Sequence, residues 1–302
     1  MNDFEIRSPR VTSGKELPEA VADSFPLRTS RRRMIIGERT LIMGIINVTP
    51  DSFSDGGRFD APERAVEEGV RMVEEGADIL DIGGESTRPG SDAVSVEEER
   101  RRVIPVIRAL AKRIDLPLSI DTMKAAIARE AVAEGAEIVN DVSAMNFDAE
   151  MAKVVADTGA AVILMHMRGT PKAMQQGDLT YRSLRGDIID FLRKRIERAA
   201  DAGIDPVQIM VDPGIGFGKT VTDNMRLIRY LHEFKVLGRP IVVGPSRKAF
   251  IGQVTGGTPR ERVEGTAAVV TAAILNGGNV IRVHDVSIMK KVAVMADAVG
   301  RA

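Results

Sequence analysis

Short apolar runs recur eight times along the chain, and each closes on a polar or small residue. They read LIMGIIN closing at Asn47, DILDIGG carrying Asp81, PLSID closing at Asp121, and EIVND closing at Asn140 and Asp141. AVILMH, VQIMVD, IVVG and VIRVH follow, closing at His166, Asp212, Gly244 and His284. A stretch of helical composition lies between each run and the next. Strands alternating with helices predict parallel pairing through crossover helices, and eight such units predict a closed (β/α)8 TIM barrel. The C-terminal strand ends line the active site of such a barrel, so the closing residues are expected to form it.

The intervening pattern supports this reading. PERAVEEGVRMVEEGA starts with Pro62 in a tolerated first-turn position, and further helices are expected at about 95–113, 123–134, 148–158, 181–202, 220–234, 260–276 and 286–298. Several helices end in a Gly-Ala pair, at Gly76-Ala77, Gly135-Ala136 and Gly159-Ala160, where glycine supplies the left-handed turn into the next strand. Three loops on the predicted catalytic side, 48–60, 84–94 and 167–180, exceed the usual two to six residues or so and suit lids or substrate clamps. Residues 1–25 are polar and aperiodic and read as a flexible tail. One barrel domain is expected over 26–302, with a hairpin at about 28–40 turning at Gly37-Glu38 and capping the barrel bottom.

Composition narrows the class. The 302 residues exceed the roughly 250 of a typical barrel by enough for a short extension, and 44% are hydrophobic. A net charge of -1 and a pI near 6.4 give no general footprint for nucleic acid or an anionic membrane. Against that balance, Arg31-Arg32-Arg33 reads as part of a solvated hairpin rather than a binding patch. The absence of cysteine excludes disulfides and thiolate chemistry and suits a reducing, cytoplasmic location. The N-terminus lacks a signal-type apolar segment, and no apolar stretch approaches the ~20 residues of a membrane span.

The closing residues divide by charge. Asp121, Asn140 and Asp212 end three strands and are acceptors that call for N–H donors in a partly dry mouth. A pterin-like heterocycle offers a ring N–H beside an exocyclic amine, which one carboxylate accepts together. A divalent metal is the alternative, although the spread over three strands favours ring recognition. Ser246, Lys248, Arg282 and His284 follow the last two runs, the habitual anion site of these barrels. Arg282 and His284 are two apart on one strand and share a face. Ser246, near a helix start, suits a carboxylate. The glycine-rich run over 211–219 lacks dinucleotide spacing and reads as a close-approach loop setting Phe217 over a flat ligand. His166 reads as a core imidazole and His232 as a surface residue. The oxygen-rich loop from Asn47 to Gly57 suits a lid that helps hold Mg²⁺ against phosphates.

With those residues in view, the chain resembles the dihydropteroate synthase family from about residue 41 to 298. The blocks are MGIINVTPDSFSDGG (43–57), DIGGESTRPG (81–90), IDT (120–122), NDVSA (140–144) and MHMRGTPKAMQ (165–175). VDPGIGFGK (211–219), GPSRKAFIG (244–252), EGTAA (264–268) and IRVHD (281–285) continue them in family order. The resemblance implies condensation of p-aminobenzoate with 6-hydroxymethyl-7,8-dihydropterin pyrophosphate in folate biosynthesis, with Mg²⁺ beside Asn47. It implies Asp121, Asn140, Asp212 and Lys248 on the pterin, and Asn47, Arg282 and His284 on the pyrophosphate. Thr87, Arg88, Pro89, Phe53, Phe217 and Ser246 would then form the aminobenzoate pocket that sulfonamides share. Catalysis would fall to Arg282, His284, Lys248 and Asn47, and a homodimer is the family expectation, with the apolar helix around 267–275 as a candidate face. Pro245 is a stiff choice within the GPSRK block, tolerated at a strand edge. The rivals are a non-catalytic pterin-binding relative, which should have lost members of the ionic set, and a pterin-dependent methyltransferase barrel, which needs no cation pair for a pyrophosphate.

Overall fold

The computed structural model describes residues 24–49, 61–87, 90–170 and 172–302. A hairpin, β1 (Phe25–Arg28) and β2 (Arg33–Ile36), precedes eight strands that coincide with the eight apolar runs. These are β3 (Leu41–Asn47), β4 (Ile79–Gly83), β5 (Leu118–Asp121), β6 (Ile138–Asp141), β7 (Ala161–Met165), β8 (Ile209–Asp212), β9 (Val242–Val243) and β10 (Val280–Val283). They pair in parallel in the order β8-β7-β6-β5-β4-β3-β10-β9. A bridge between Val211 and Ile241, with the Val211 N–H donating to the Pro240 carbonyl at 3.0 Å, brings β9 back to β8 and closes the ring.

Strand alternation explains why the runs carry both a core and a site. Outward residues such as Ile42, Leu80, Ile120, Val139, Val162, Val211 and Ile281 pack against the helices in one large cluster. Inward residues at the strand starts, among them Leu41, Ile79, Ile138, Ala161, Val242 and Val280, form a second cluster with Leu27, Met34 and Ile36 of the hairpin. The hairpin therefore plugs the N-terminal end of the barrel, as anticipated.

Its boundaries differ from the expectation. Phe25 pairs with Ile36 and Arg28 with Arg33, so the turn is Thr29–Arg32 and not Gly37-Glu38. The Thr29 hydroxyl makes this turn by accepting from the Arg31 and Arg32 N–H groups at 3.3 and 3.0 Å, a local bond that competes with strand continuation. Phe25 belongs to the hairpin rather than to the tail, whose residues 1–23 lie outside the described residues. Arg32 is not merely solvated: it pairs with the buried Glu137 at 2.8 Å.

The helices are α1 (Ala61–Glu74), α2 (Val96–Leu110), α3 (Ala125–Glu134), α4 (Met151–Thr158), α5 (Leu184–Asp201), α6 (Val221–Arg229), α7 (Ala249–Thr255), α8 (Val263–Leu275) and α9 (Val286–Gly300). Two depart from expectation. α6 stops at Arg229, and a 3₁₀ segment, Leu231–Leu237, completes the span assigned to it. α7 is an additional short helix directly after the Ser246 to Lys248 turn.

Candidate active site

Above the hydrophobic plug, the inward positions become polar: Asp81 on β4, Ser119 and Asp121 on β5, Asn140 on β6, Asp212 on β8 and Arg282 on β10, with Asn47 ending β3 and His284 just past β10. Strand pairing sets the neighbours, with Asp81 opposite Ser119, Asp121 opposite Asn140, and Asn47 opposite Gly83. Asp121, Asn140 and Asp212 are 7%, 5% and 6% exposed, so all three predicted acceptors are held nearly dry.

Arg282 organises this centre. Its Nε donates to Asp81 at 2.5 Å and its Nη2 to Asp121 at 2.7 Å. The Asn140 amide donates to the same Asp81 oxygen at 3.1 Å. Arg282 therefore sits among the predicted pterin acceptors instead of standing apart in an anion corner. The two carboxylates more than offset burial and hold its guanidinium above the ordinary arginine value. Burial pushes the Asp121 carboxyl up to about 7, against the pull of Arg282. Asp212 is raised by burial too, opposed by Lys248 and by the Gly214 N–H that donates to it at 2.7 Å.

The opposite wall carries the cations. Lys248 donates to the Ile215 carbonyl and lies 4.4 Å from the Phe217 ring centroid, a cation–π distance. Burial lowers its amine to about 8. Pro245 opens the turn whose carbonyl accepts from the Lys248 N–H at 3.4 Å, beyond the paired residues of β9, so its missing N–H costs no strand bond. Arg247, at φ 57°, turns away and pairs with Asp285.

His284 lies between two neutral partners. The Ser246 hydroxyl is 2.9 Å from Nδ1 and also accepts from the His284 backbone N–H at 3.2 Å. Asn47 approaches Nε2 at 3.5 Å. The group facing Nε2 is the Asn47 amide nitrogen, a donor, so in the neutral ring Nε2 accepts there and Nδ1 carries the proton toward the Ser246 oxygen.

Phe217 belongs to an apolar patch with Met123, Val142, Met165 and Met174. Thr87 is half-buried in the loop after β4. Phe53, Arg88, Pro89 and most of the 48–60 loop lie outside the described residues. His166 is the buried imidazole anticipated, stacked edge-on against Phe191 at 5.0 Å, and His232 is exposed.

Three roles escaped the sequence reading. Asp81 is visible there as the acid of its apolar run, but its part as the partner of Arg282 is not. Lys124, joined to Glu85 and Glu99 beside the 84–94 loop, and Lys219, buried at 2% exposure, look from sequence like ordinary surface lysines.

An eight-stranded barrel with an acceptor set facing a cation wall at its C-terminal mouth defines a pterin-binding TIM-barrel enzyme, and residues 43–284 match the family described as pterin binding enzyme. The chain is 46% identical over 287 residues to the dihydropteroate synthase of Synechocystis sp., spanning 94% of this chain and 99% of that relative. The structure of Xanthomonas albilineans dihydropteroate synthase with 4-aminobenzoic acid is 45% identical, with a TM-score of 0.86, over 92% of this chain and 99% of its own. That of Yersinia pestis dihydropteroate synthase with a sulfonamide drug complex is 43% identical, with a TM-score of 0.83, over 87% and 95%. The chain belongs to the dihydropteroate synthase family.

Proposed function

We propose that the barrel mouth carries out the family's condensation with the residues described above. The activity is a transfer in folate biosynthesis: the arylamine nitrogen of p-aminobenzoate replaces pyrophosphate on the pterin methylene. The observation that carries this assignment is the convergence of Asp121, Asn140 and Asp212, all nearly dry, opposite Lys248. Asp121 or Asp212 accepts the paired N–H groups of the pterin edge, Asn140 matches a further donor, and Lys248 donates to a ring acceptor. Arg282, already inside the acceptor set, lies between pterin and leaving group. His284 and Asn47 face the pyrophosphate. Thr87, Arg88, Pro89, Phe53, Phe217 and Ser246 take the arylamine.

An arylamine is uncharged at neutral pH and needs little general-base help. The hard step is breaking the carbon–oxygen bond to pyrophosphate. Arg282 and the imidazole of His284 follow the negative charge that develops on the leaving oxygen. The electron-rich dihydropterin shares positive charge at the methylene, which permits an ionised, SN1-like course. The new carbon–nitrogen bond then forms, and the amine proton passes to solvent.

Mg²⁺ would fit this corner through Asn47. Among the described residues no three His, Asp or Glu side chains gather as a metal cluster. Asn47 would hold the ion by its amide oxygen, the diphosphate would supply most other ligands, and the bound ion would neutralise leaving-group charge. No helix among the described residues is long and apolar enough to cross a membrane, and a cytoplasmic location belongs to the same reading. A homodimer would bury Leu275, Ile288, Met295 and Val299, which are 47–65% exposed on α8 and α9. Light scattering should then give twice the chain mass, and a monomeric value would reject it.

The deciding assay is pyrophosphate release from dihydropterin pyrophosphate and Mg²⁺, with and without p-aminobenzoate. Arylamine-dependent release with matching dihydropteroate is the expected result. Pterin binding without release would instead identify a non-catalytic relative.

A further inference from the structure

Lys219 is buried, and its ammonium has three hydrogen-bond partners, none of them a carboxylate. These are His166 Nδ1 at 3.0 Å, the Phe217 carbonyl at 3.0 Å and the His166 carbonyl at 3.4 Å. Burying an ammonium without a counter-ion in contact is costly, and a lysine at the end of a glycine loop would ordinarily extend into water. Burial lowers its amine to about 7, while burial and the neighbouring Lys219 charge depress His166 to about 2. The imidazole is therefore neutral, and its Nδ1 accepts. In the protonated amine three hydrogens meet three acceptors, and Asp212 and Asp223 oppose the cost of burial from beyond hydrogen-bond range.

These bonds extend the pairing of β7 with β8, whose last link is the His166 N–H to the Asp212 carbonyl at 2.9 Å, into the loop that follows β8. His166 closes β7, and Phe217 lies in the loop after β8. The loop crosses so near β7 that a Cβ on Gly214 would come within 1.9 Å of the His166 carbonyl. Tyr181 donates to the Gly218 carbonyl at 2.8 Å and Gln175 to that of Gly216 at 2.9 Å. Within this loop Lys248 takes the Ile215 carbonyl and Lys219 that of Phe217, so two ammonium groups bracket the Phe217 ring. Phe217 itself is held at its carbonyl by Lys219 and at its N–H by the Gly214 carbonyl at 3.1 Å.

We propose that Lys219 is a positioning residue of the arylamine subsite: by tying the Phe217 carbonyl to His166, it holds the Phe217 ring where the arylamine stacks. It sets arylamine affinity and leaves the loss of pyrophosphate unaffected. The inference rests on the reading of Phe217 as a wall of that pocket.

The test is steady-state kinetics of the full chain as Lys219→Met, which keeps the stem and removes the ammonium. The KM for p-aminobenzoate should rise about tenfold or more, the size of one lost charge-assisted hydrogen bond. Both kcat and the KM for dihydropterin pyrophosphate should stay within about twofold. Lys219→Gln, which keeps one amide donor, should fall between and serves if the Met variant does not fold. Phe217→Leu separates the two ideas. An unchanged arylamine KM in Phe217→Leu removes Phe217 from the pocket and the proposal with it. A raised value there, beside an unchanged one in the Lys219 variants, overturns the clamp and leaves the pocket standing. A fall in kcat with both KM values raised in whichever Lys219 variant folds also overturns it, because that is the result of general loosening.

Discussion

Asp121 shows how one carboxylate is pulled two ways. Burial raises it to about 7, while Arg282 at 2.7 Å favours the ionised form. The pterin edge offers donors, so it requires the ionised carboxylate. Near pH 6 the free chain holds a proton that ligand binding must release. More than about one unit above pH 7 it holds almost none. Affinity for a dihydropterin alcohol should therefore weaken toward about tenfold per pH unit below 7 and level off above it. Calorimetry at pH 6 in two buffers of different ionisation enthalpy should report proton release, and buffer-independent heats would reject the linkage. His284 makes a different prediction at this scale. Its imidazole contacts Ser246 and faces Asn47. His284→Ala should lower kcat by about 10²–10³-fold, as for other lost donors to developing charge, with little change in pterin-alcohol affinity. Equal losses in both would reject its placement on the leaving group. Arg282→Ala should instead harm both, because it strips the shared partner from Asp81 and Asp121.

At the scale of elements, strand ends were the most legible part of the chain and loop geometry the least. Period-two alternation places Asp121, Asn140 and Asp212 inside the barrel, and the two-residue spacing of Arg282 and His284 does the same, so the sequence reading located these side chains correctly. It could not show that Arg282 would reach past β3 to Asp81, since that contact depends on how closely the strands' inward side chains converge. The hairpin turn was misplaced because a threonine hydroxyl made it while a glycine nearby drew attention. Positive-φ glycines show the same separation of pattern from space. Gly159 at φ 69° and Gly214 at φ 72° have nearly one conformation, but a Cβ on Gly159 meets nothing within 4 Å, whereas one on Gly214 strikes the His166 carbonyl. Gly159→Ala should cost only backbone strain, about 1–2 kcal/mol. Gly214→Ala should cost clearly more and also raise the arylamine KM, because the loop carrying Phe217 must lift. Equal thermal shifts in the two variants would show that the loop relaxes freely.

Across the whole molecule the two ends of the barrel have separate tasks. The hairpin closes the N-terminal end with Leu27, Met34 and Ile36 against the first inward residues of the strands, and the chemistry lies at the other end. On β4, β6, β8 and β10 only two residues of strand, about 3.3 Å each, separate Ile79, Ile138, Met210 and Val280 of the plug layer from Asp81, Asn140, Asp212 and Arg282. Met34 is 2% exposed, so Met34→Ala should leave a cavity and cost about 2–5 kcal/mol of stability. The site should not register that loss while the chain stays folded, because the strand ends are fixed by their own ladder and by the Arg282 bridge to Asp81 and Asp121. Denaturant unfolding should move to a lower midpoint, with kcat and both KM values held within about twofold at a temperature where the variant is native. A change in either KM would mean that packing at the plug reaches the mouth through the barrel wall, and that the two ends share one cooperative structure.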